Sequence, residues 1–171
     1  MTNIGTCNIA SRLRRWADEK PDSLALVEIS SRKQKTFKEL ENESSLLASG
    51  LIQCGMKPGN RVLLMVPYGI DFVILTFAMF KAGLISVLID PGLGKINVLK
   101  CIKQIQPQGM IAISLAHAIR KLIPTTFKSI EYNVTVGKKW FWGGTTLKQL
   151  KDSRQTGFKM ALMGEDDPAA I

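Results

Sequence analysis

Two short aliphatic stretches with a strongly apolar segment between them constrain the fold of this chain most. Residues 61–66 and 84–89 carry mainly aliphatic side chains at odd and even positions alike, which is typical of strands covered on both faces of a sheet. Residues 68–82 predict a helix that is apolar nearly all round and therefore buried. Since Lys81 and Gly83 interrupt the apolar run, and a membrane helix needs about 20 apolar residues in succession, no transmembrane segment is expected.

The rest of the chain continues the alternation of strand and helix. Further strands are predicted at residues 24–29, 110–113 and 130–136. Further helices are predicted after a cap at Asn8, after a capping box at Thr36–Glu39, after residue 94, at 115–122 and at 146–151. Repeats of roughly 20–25 residues indicate an α/β fold, a layered and mostly parallel sheet flanked by helices.

Several local signals refine this prediction. Lys57-Pro58-Gly59-Asn60 fits a type II turn. Residues 30–33 are predicted to form a turn, and residues 164–170 an extended exit segment without apolar anchors. In the helix that follows residue 94, the pattern predicts an apolar stripe formed by Ile96, Leu99, Ile102 and Ile105.

The composition indicates a globular chain without a metal or thiol centre. Apolar residues make up 46% and charged residues 22% of the 171 positions, so the chain can bury one compact core. Cys7, Cys54 and Cys101 are widely separated and His117 is the only histidine, which argues against structural zinc and a Cys–His nucleophile. The odd cysteine count and the absence of a signal-peptide pattern predict reduced thiols and a cytoplasmic location.

The net charge of +9 is unevenly distributed. Residues 1–90 carry 11 basic and 9 acidic side chains, whereas residues 91–164 carry 12 basic and only 2 acidic ones. This bias favours an anionic partner, such as a nucleotide, an acidic carrier protein, nucleic acid or an anionic lipid surface. A solvated basic face, or one that meets an acidic remainder of the protein, explains the bias more simply.

Two motifs invite a functional interpretation. Asp90-Pro91-Gly92-Leu93-Gly94 follows a strand and opens a helix, where α/β proteins often bind phosphate. It lacks the complete dinucleotide and P-loop patterns, which favours a structural turn. Trp140, Phe141 and Trp142 beside Lys138 and Lys139 could stack on bases, but anchoring of a loop against the core is simpler. No catalytic triad or carboxylate pair stands out, so the residues alone yield a scaffold without a reactive centre.

A series of short motifs nevertheless runs along the chain in a fixed order. They are Asn8-Ile9-Ala10, Pro21, Ala25-Leu26-Val27, Thr36-Phe37-Lys38-Glu39-Leu40, Ala48, Gly50-Leu51, Gly55, Lys57-Pro58-Gly59-Asn60-Arg61-Val62, Val66-Pro67, Asp71-Phe72, Lys81-Ala82-Gly83 and Ile89-Asp90-Pro91. In this order and spacing they resemble the start of the AMP-forming acyl-CoA synthetases. The stretches 90–94, 106–107 and 135–144 resemble the branch of bacterial long-chain olefin synthesis that converts a β-hydroxy fatty acid into a β-lactone. Asn60 and Tyr68-Gly69 depart from the usual Asp and Asn-Ser, at positions that carry none of the family's chemistry.

The resemblance implies that residues 1–171 form a single partial domain, the N-terminal part of the large domain of an adenylate-forming enzyme. It implies ATP and Mg²⁺ as cofactors, CoA as an optional further one, and a fatty acid or β-hydroxy fatty acid as substrate. The family's phosphate loop, adenine-binding segment, magnesium-binding acid and C-terminal lysine would all follow Ile171. The resemblance therefore predicts that no residue of this chain is catalytic, binds a cofactor or binds a metal.

The implied role of the chain is a supporting wall. It would hold the later loop, help shape the acyl pocket and pack against the remainder of the enzyme. Helix 68–82 could form part of the wall of that pocket, but core packing explains its apolar surface more simply. By itself it is expected to be inactive, and no nucleic-acid partner is expected. The alternative is a basic α/β module that binds an anionic partner, namely an acyl carrier, nucleic acid or anionic lipid.

Overall fold

A computed structural model describes residues 8–139, 141–152 and 158–171. Its strands are β1 (Leu24–Glu28), β2 (Lys33–Thr36), β3 (Arg61–Met65), β4 (Ile85–Val87), β5 (Gly109–Ile113), β6 (Tyr132–Val136) and β7 (Thr145–Thr146). Its helices are α1 (Ala10–Glu19), α2 (Phe37–Gln53), α3 (Ile70–Lys81), α4 (Lys95–Ile105), α5 (Ser114–Leu122) and α6 (Leu147–Asp152). The α/β prediction is confirmed.

The larger sheet contains five strands in the order β4-β3-β5-β6-β7, and every pairing in it is parallel. Strands β1 and β2 form a separate antiparallel pair. The chain passes from β3 to β4 at one edge of the sheet and then returns across β3 to β5. The order of the strands therefore reverses beside β3, which creates a topological switch point.

Helices cover both faces of this sheet. Val62 and Leu64 of β3 point into the larger core, together with side chains from α1, α2, α3 and α6. Leu63, between them, points into a smaller core that contains Ile102 of α4 and Ala116 of α5. The alternation explains why β3 is aliphatic at successive positions, because each face of the strand has its own core.

The structure contains the predicted capping box and the predicted type II turn. The Thr36 hydroxyl accepts from the Glu39 N–H and the Glu39 carboxylate accepts from the Thr36 N–H, which completes the capping box. Gly59 has a φ of 85° and the Asn60 N–H bonds to the Lys57 carbonyl at 3.0 Å, as a type II turn requires.

Two strands were missed, and one prediction about local structure was wrong. The sequence Lys-Gln-Lys-Thr at 33–36 forms β2, although it is polar throughout, because it pairs with β1. Strand β7 was missed because it has only two residues. In α4, Ile96 is 72% exposed, whereas Leu99, Ile102 and Ile105 take part in the smaller core.

The end of the chain is held by contacts that the sequence analysis did not predict. Ala169 accepts from the Ser86 N–H at 2.9 Å, and Ile171 bonds to Ser86 and Leu88 at 2.8 and 2.9 Å. Ser86 and Ala170 thus form a parallel bridge. The anchors of this segment are backbone hydrogen bonds to the edge of β4, which a search for apolar side chains does not reveal.

Candidate functional site

An open groove lies at the carboxyl ends of β3, β4 and β5 and has a volume of about 480 Å³. Its wall includes the end of β3, the residues that follow β4, and the first turns of α3 and α5. The lining residues are Leu64, Met65, Val66, Pro67, Tyr68, Phe72, Leu88, Ile89, Asp90, Pro91, Ile113, Leu115, Ala116 and Ile119.

The position of the groove follows from the topology of the sheet. Helix α3 leaves the end of β3 toward one face, and α5 leaves the end of β5 toward the other. The two connections diverge and leave a crevice between neighbouring strands, which is where open α/β sheets usually bind ligands. This groove is therefore the candidate functional site.

The chemistry of the groove is apolar. Asp90 is its only charged lining residue, and the Asp90 Oδ1 atom accepts a hydrogen bond from the Gly92 N–H at 2.8 Å. The carboxylate thus occupies the backbone donor that a phosphate would need, and repels an anion. The turn at 90–94 is consequently structural, and the groove suits an alkyl or aromatic group.

Helix α3 contributes to the groove only at its N-terminal end. Tyr68 precedes the helix, is 82% exposed, and packs edge-on against Phe72 with 4.9 Å between ring centroids. Ile74, Leu75, Ala78 and Met79 are fully buried in the larger core. Core packing thus accounts for most of the apolar character that the sequence shows over 68–82.

The aromatic loop after β6 is anchored by Trp142. Its Nε1 atom donates to the Thr135 hydroxyl at 2.9 Å, and its ring stacks on His117 at a centroid distance of 5.7 Å. Phe141 is 73% exposed, and Trp140 lies outside the described residues. The prediction that the loop is anchored to the core is therefore confirmed for Trp142.

His117 is a core residue and lies under this loop. It is fully buried, and its Nε2 atom lies 3.0 Å from the Val134 carbonyl oxygen, so that Nε2 carries the proton. Burial lowers the pKa of His117, partly offset by the hydrogen bond to Val134. A neutral imidazole held in this way does not face the groove as an acid or a base.

A buried lysine was not found by sequence reasoning. Lys81, at the end of α3, has no exposed surface, and its Nζ atom lies 2.7 Å from a Glu41 carboxylate oxygen of α2. It also donates to the Glu41 carbonyl and to the Ser45 hydroxyl, each at 2.8 Å. Desolvation lowers the pKa of Lys81, opposed by the Glu41 carboxylate. The pair joins α2 to α3, and neither of its residues lines the groove.

Metal and membrane features were also sought in the part of the chain that the structure describes. There, no group of three or more His, Cys, Asp or Glu side chains could hold a metal ion. Cys54 and Cys101 are free thiols, and Cys7 falls outside the described ranges. No helix in this part is long and apolar enough to cross a bilayer.

Comparison with known proteins places this fold in a family. The model of the family described as "AMP-binding enzyme" matches residues 13–171. The chain belongs to the AMP-binding enzyme family. Enzymes of this family use ATP, and the CoA ligases among them use CoA.

Two curated relatives in the AMP-binding family match almost the whole chain. The olefin beta-lactone synthetase of Xanthomonas campestris pv. campestris is 37% identical over 96% of the chain. That of Stenotrophomonas maltophilia is 36% identical over the same share. The chain spans only 31% and 32% of the lengths of these two relatives, about a third of each.

One solved structure of a ligase shares this fold. A long-chain-fatty-acid–CoA ligase from Archaeoglobus fulgidus superposes with a TM-score of 0.85 over 97% of this chain and 34% of its own. At 19% identity this likeness concerns the fold alone. The family match over residues 13–171 confirms, at the level of the family, the resemblance to the start of the AMP-forming acyl-CoA synthetases.

Proposed function

We propose that this chain is the N-terminal platform of an ATP-dependent, AMP-forming ligase that activates a fatty acid or β-hydroxy fatty acid as an acyl-adenylate. The observation that carries the proposal is the identity of 37% to an olefin beta-lactone synthetase along 96% of the chain. An apolar groove at the switch point of the sheet supports an apolar acyl group as the substrate. Such activation permits transfer of the acyl group to the CoA thiol with release of AMP. With a β-hydroxy acid it also permits attack of the hydroxyl on the acyl carbonyl, which closes a β-lactone and likewise releases AMP.

Within this function, the groove forms one wall of the acyl pocket. Its aliphatic side chains, such as Leu88, Ile113 and Leu115, would exclude water from an alkyl chain without forming a directional contact. A groove of this kind selects for the length and bulk of the acyl group rather than for its carboxylate. The residues present therefore position the substrate and perform no bond-making step.

The nucleotide and Mg²⁺ belong elsewhere in the enzyme. The described residues do not fit them, since the Gly92 N–H is already bonded to Asp90 and no carboxylate cluster is formed. ATP, Mg²⁺ and CoA would be held by segments of the intact enzyme other than residues 1–171. Catalytic, cofactor-binding and metal-binding roles thus remain assigned to no residue of this chain.

The direction of the last residues supports the role of a platform. Residues 169–171 run parallel to β4, so they point toward the carboxyl edge of the sheet, where the groove opens. A phosphate-binding loop that follows a strand in this position would lie beside the groove. The remainder of the enzyme would pack on this edge, and we place the protein in the cytoplasm with no nucleic-acid partner.

A chimeric enzyme tests the proposal. The purified 171-residue chain, given ATP, Mg²⁺ and a fatty or 3-hydroxy fatty acid, should release no pyrophosphate. The X. campestris synthetase in which this chain replaces the matching segment should release it. Pyrophosphate release by the isolated chain, or a chimera that folds but is inactive with every such acid, would contradict the proposal.

The groove is tested in the same chimera. Leu88→Trp, which narrows the groove, should raise KM for long acyl chains at least several-fold more than for short ones. Leu162→Trp is the matched control, because Leu162 is 80% exposed and lies outside the groove. An equal effect of Leu88→Trp on KM for all chain lengths would show that the groove is not part of the acyl pocket.

A further inference from the structure

Trp142 holds the loop after β6 against helix α5, and its contacts include a histidine. The Trp142 ring stacks on the His117 ring with 5.7 Å between centroids and 18° between planes. The Trp142 carbonyl accepts from the Arg120 Nη2 atom at 3.2 Å, and the Trp142 Nε1 atom donates to the Thr135 hydroxyl at 2.9 Å. We call these three contacts the Trp142 anchor.

Only one nitrogen of the His117 ring has a hydrogen-bond partner. Nε2 donates to the Val134 carbonyl at 3.0 Å, so Nδ1 is unprotonated in the neutral ring. Nδ1 is buried, and in the part of the chain that the structure describes it has no partner. Burying an unpaired neutral polar atom costs much less than burying an unpaired charge. The ring is therefore suited to this position only in its neutral form.

The elements around His117 bring cations to it and no carboxylate. Arg120, one turn further along α5, opposes a second positive charge at His117. Helices α4 and α5, strands β5 and β6 and residues 137–144 contain no Asp or Glu, and neither do residues 1–7, 140 and 153–157. The exposed Glu131 precedes Val134 by three residues, about 10 Å along the strand. The other titratable side chains of these elements and of residues 123–131 are Lys95, Lys100, Cys101, Lys103, Lys121, Lys128, Tyr132, Lys138 and Lys139.

The burial of His117 is complete within this chain. Its exposed fraction is 0%, so a further segment of the enzyme could not contact the ring unless the Trp142 anchor had first opened. The environment of the imidazole is thus set by the described residues themselves.

We propose that protonation of His117 opens the Trp142 anchor. The proton comes from solvent and binds the Nδ1 lone pair, after which both ring nitrogens are donors and the Val134 carbonyl is the acceptor for only one of them. Stacking on Trp142 attracts a cationic ring, but this gain is smaller than the cost of desolvating an unpaired charge beside Arg120. In the open form, water solvates both cations. Since Ala116 and Ile119 of α5 line the groove, opening also loosens one wall of it.

The direction of the pH dependence follows from which form binds the proton. Burial lowers the pKa of His117 in the anchored form, whereas in an open, hydrated form the imidazole titrates near its ordinary value of about 6.5. Below about pH 6.5 only the open form takes up the proton, so the ratio of open to anchored molecules should rise about tenfold for each further pH unit. Above about pH 7 neither form binds the proton, and the ratio should not depend on pH.

Hydrogen exchange of the Trp142 indole, followed by NMR, tests the proposal on the 171-residue chain. The protection factor of the Nε1–H group, whose signal a Trp142→Phe variant identifies, should fall about tenfold between about pH 6 and pH 5. In His117→Gln the protection factor should not change with pH, because glutamine can donate to Val134 but does not titrate. The Ile85 amide, which bonds to the Asn60 carbonyl at 2.9 Å, should keep its protection and is the internal control for global unfolding.

The histidine signal gives a second measurement that needs no variant. Because His117 is the only histidine in the chain, one Cε1–H resonance reports its protonation directly. Protonation of His117 while the Trp142 indole stays protected would overturn the proposal. So would a constant Trp142 protection factor from about pH 7 to pH 5, the same pH dependence in His117→Gln, or an equal loss of protection at Ile85. A failed chimera in the pyrophosphate assay would leave these results untouched, because none of them requires catalysis.

Discussion

At the scale of single residues, the Lys81–Glu41 pair is the most informative feature. The Lys81 side chain is completely buried, whereas 17% of the Glu41 side chain remains exposed. A buried ammonium is tolerated only because its three protons find the Glu41 carboxylate, the Glu41 carbonyl and the Ser45 hydroxyl. The pair therefore fixes how α2 and α3 pack together.

Removing the carboxylate should be costly. We expect Glu41→Gln to lower the free energy of unfolding by about 3 kcal/mol, because the Lys81 charge stays buried without its counter-charge. Denaturant unfolding followed by circular dichroism measures this loss. Glu19→Gln, which breaks the exposed Arg15–Glu19 pair on α1, is the control and should cost less than about 0.5 kcal/mol. Similar losses in the two variants would show that the buried pair is unimportant.

The sequence did not predict this pair. A lysine in the last turn of a helix is normally explained by the helix dipole and by solvent. Burial of Lys81 arises because α2 covers that end of α3, which is a relation between elements that are distant in sequence. The same reason applies to His117, whose burial depends on Trp142 and Val134.

At the scale of elements, close contact between helices depends on one glycine. Gly50 lies inside α2, where glycine is ordinarily unfavourable. A Cβ atom built at Gly50 would lie 2.8 Å from the Leu150 carbonyl oxygen and 2.9 Å from the Leu150 Cβ atom. Glycine at this position thus allows α6 to pack directly on the backbone of α2.

We expect Gly50→Ala to destabilise the protein by about 1–3 kcal/mol, because the clash is with backbone and outweighs the better helix propensity of alanine. Thermal or denaturant unfolding measures the change. Gly164→Ala is the control, since its Cβ would meet only the Asp167 carboxylate at 3.4 Å, and its effect should be small. An increase in stability for Gly50→Ala would mean that α6 does not pack where the structure places it.

Helices and strands were predicted correctly where neighbouring residues specify them. They were missed where pairing with a distant segment determines the structure. The capping box at Thr36 specifies the start of α2 through side chains three residues apart. Strand β2 has no apolar alternation, so only its partner β1 makes it a strand. Ile96 matches the periodicity of α4 but lies beyond the reach of the sheet, so the expected apolar stripe is incomplete.

At the scale of the whole molecule, residues 158–171 complete one edge of the sheet. The Ala161 N–H bonds to the Lys81 carbonyl at 2.8 Å, and residues 169–171 then pair with β4. Strand β4 has three residues and would otherwise be an unprotected edge. Residues 158–171 thus connect the end of α3 to the outer edge of β4.

A shortened chain tests this link. Removing residues 169–171 should raise the amide exchange rates of Ser86 and Leu88 by about a hundredfold or more, because their acceptors are the carbonyls of Ala169 and Ile171. Hydrogen exchange followed by NMR measures these rates. The Ile85 N–H bonds to the Asn60 carbonyl at 2.9 Å instead, so it is the internal control. Equal acceleration of all three amides would indicate general unfolding rather than loss of an edge strand.

The sequence by itself determined the class of fold, the buried strand–helix–strand unit and the membership of a family, because these depend on periodicity and local motifs that the chain displays directly. The tertiary structure decided where β2 and the chain end pair, which charges are buried, and that an apolar groove opens between α3 and α5. These features depend on contacts between segments far apart in the chain. Their energies come from desolvation and backbone pairing, which no local pattern of residues records.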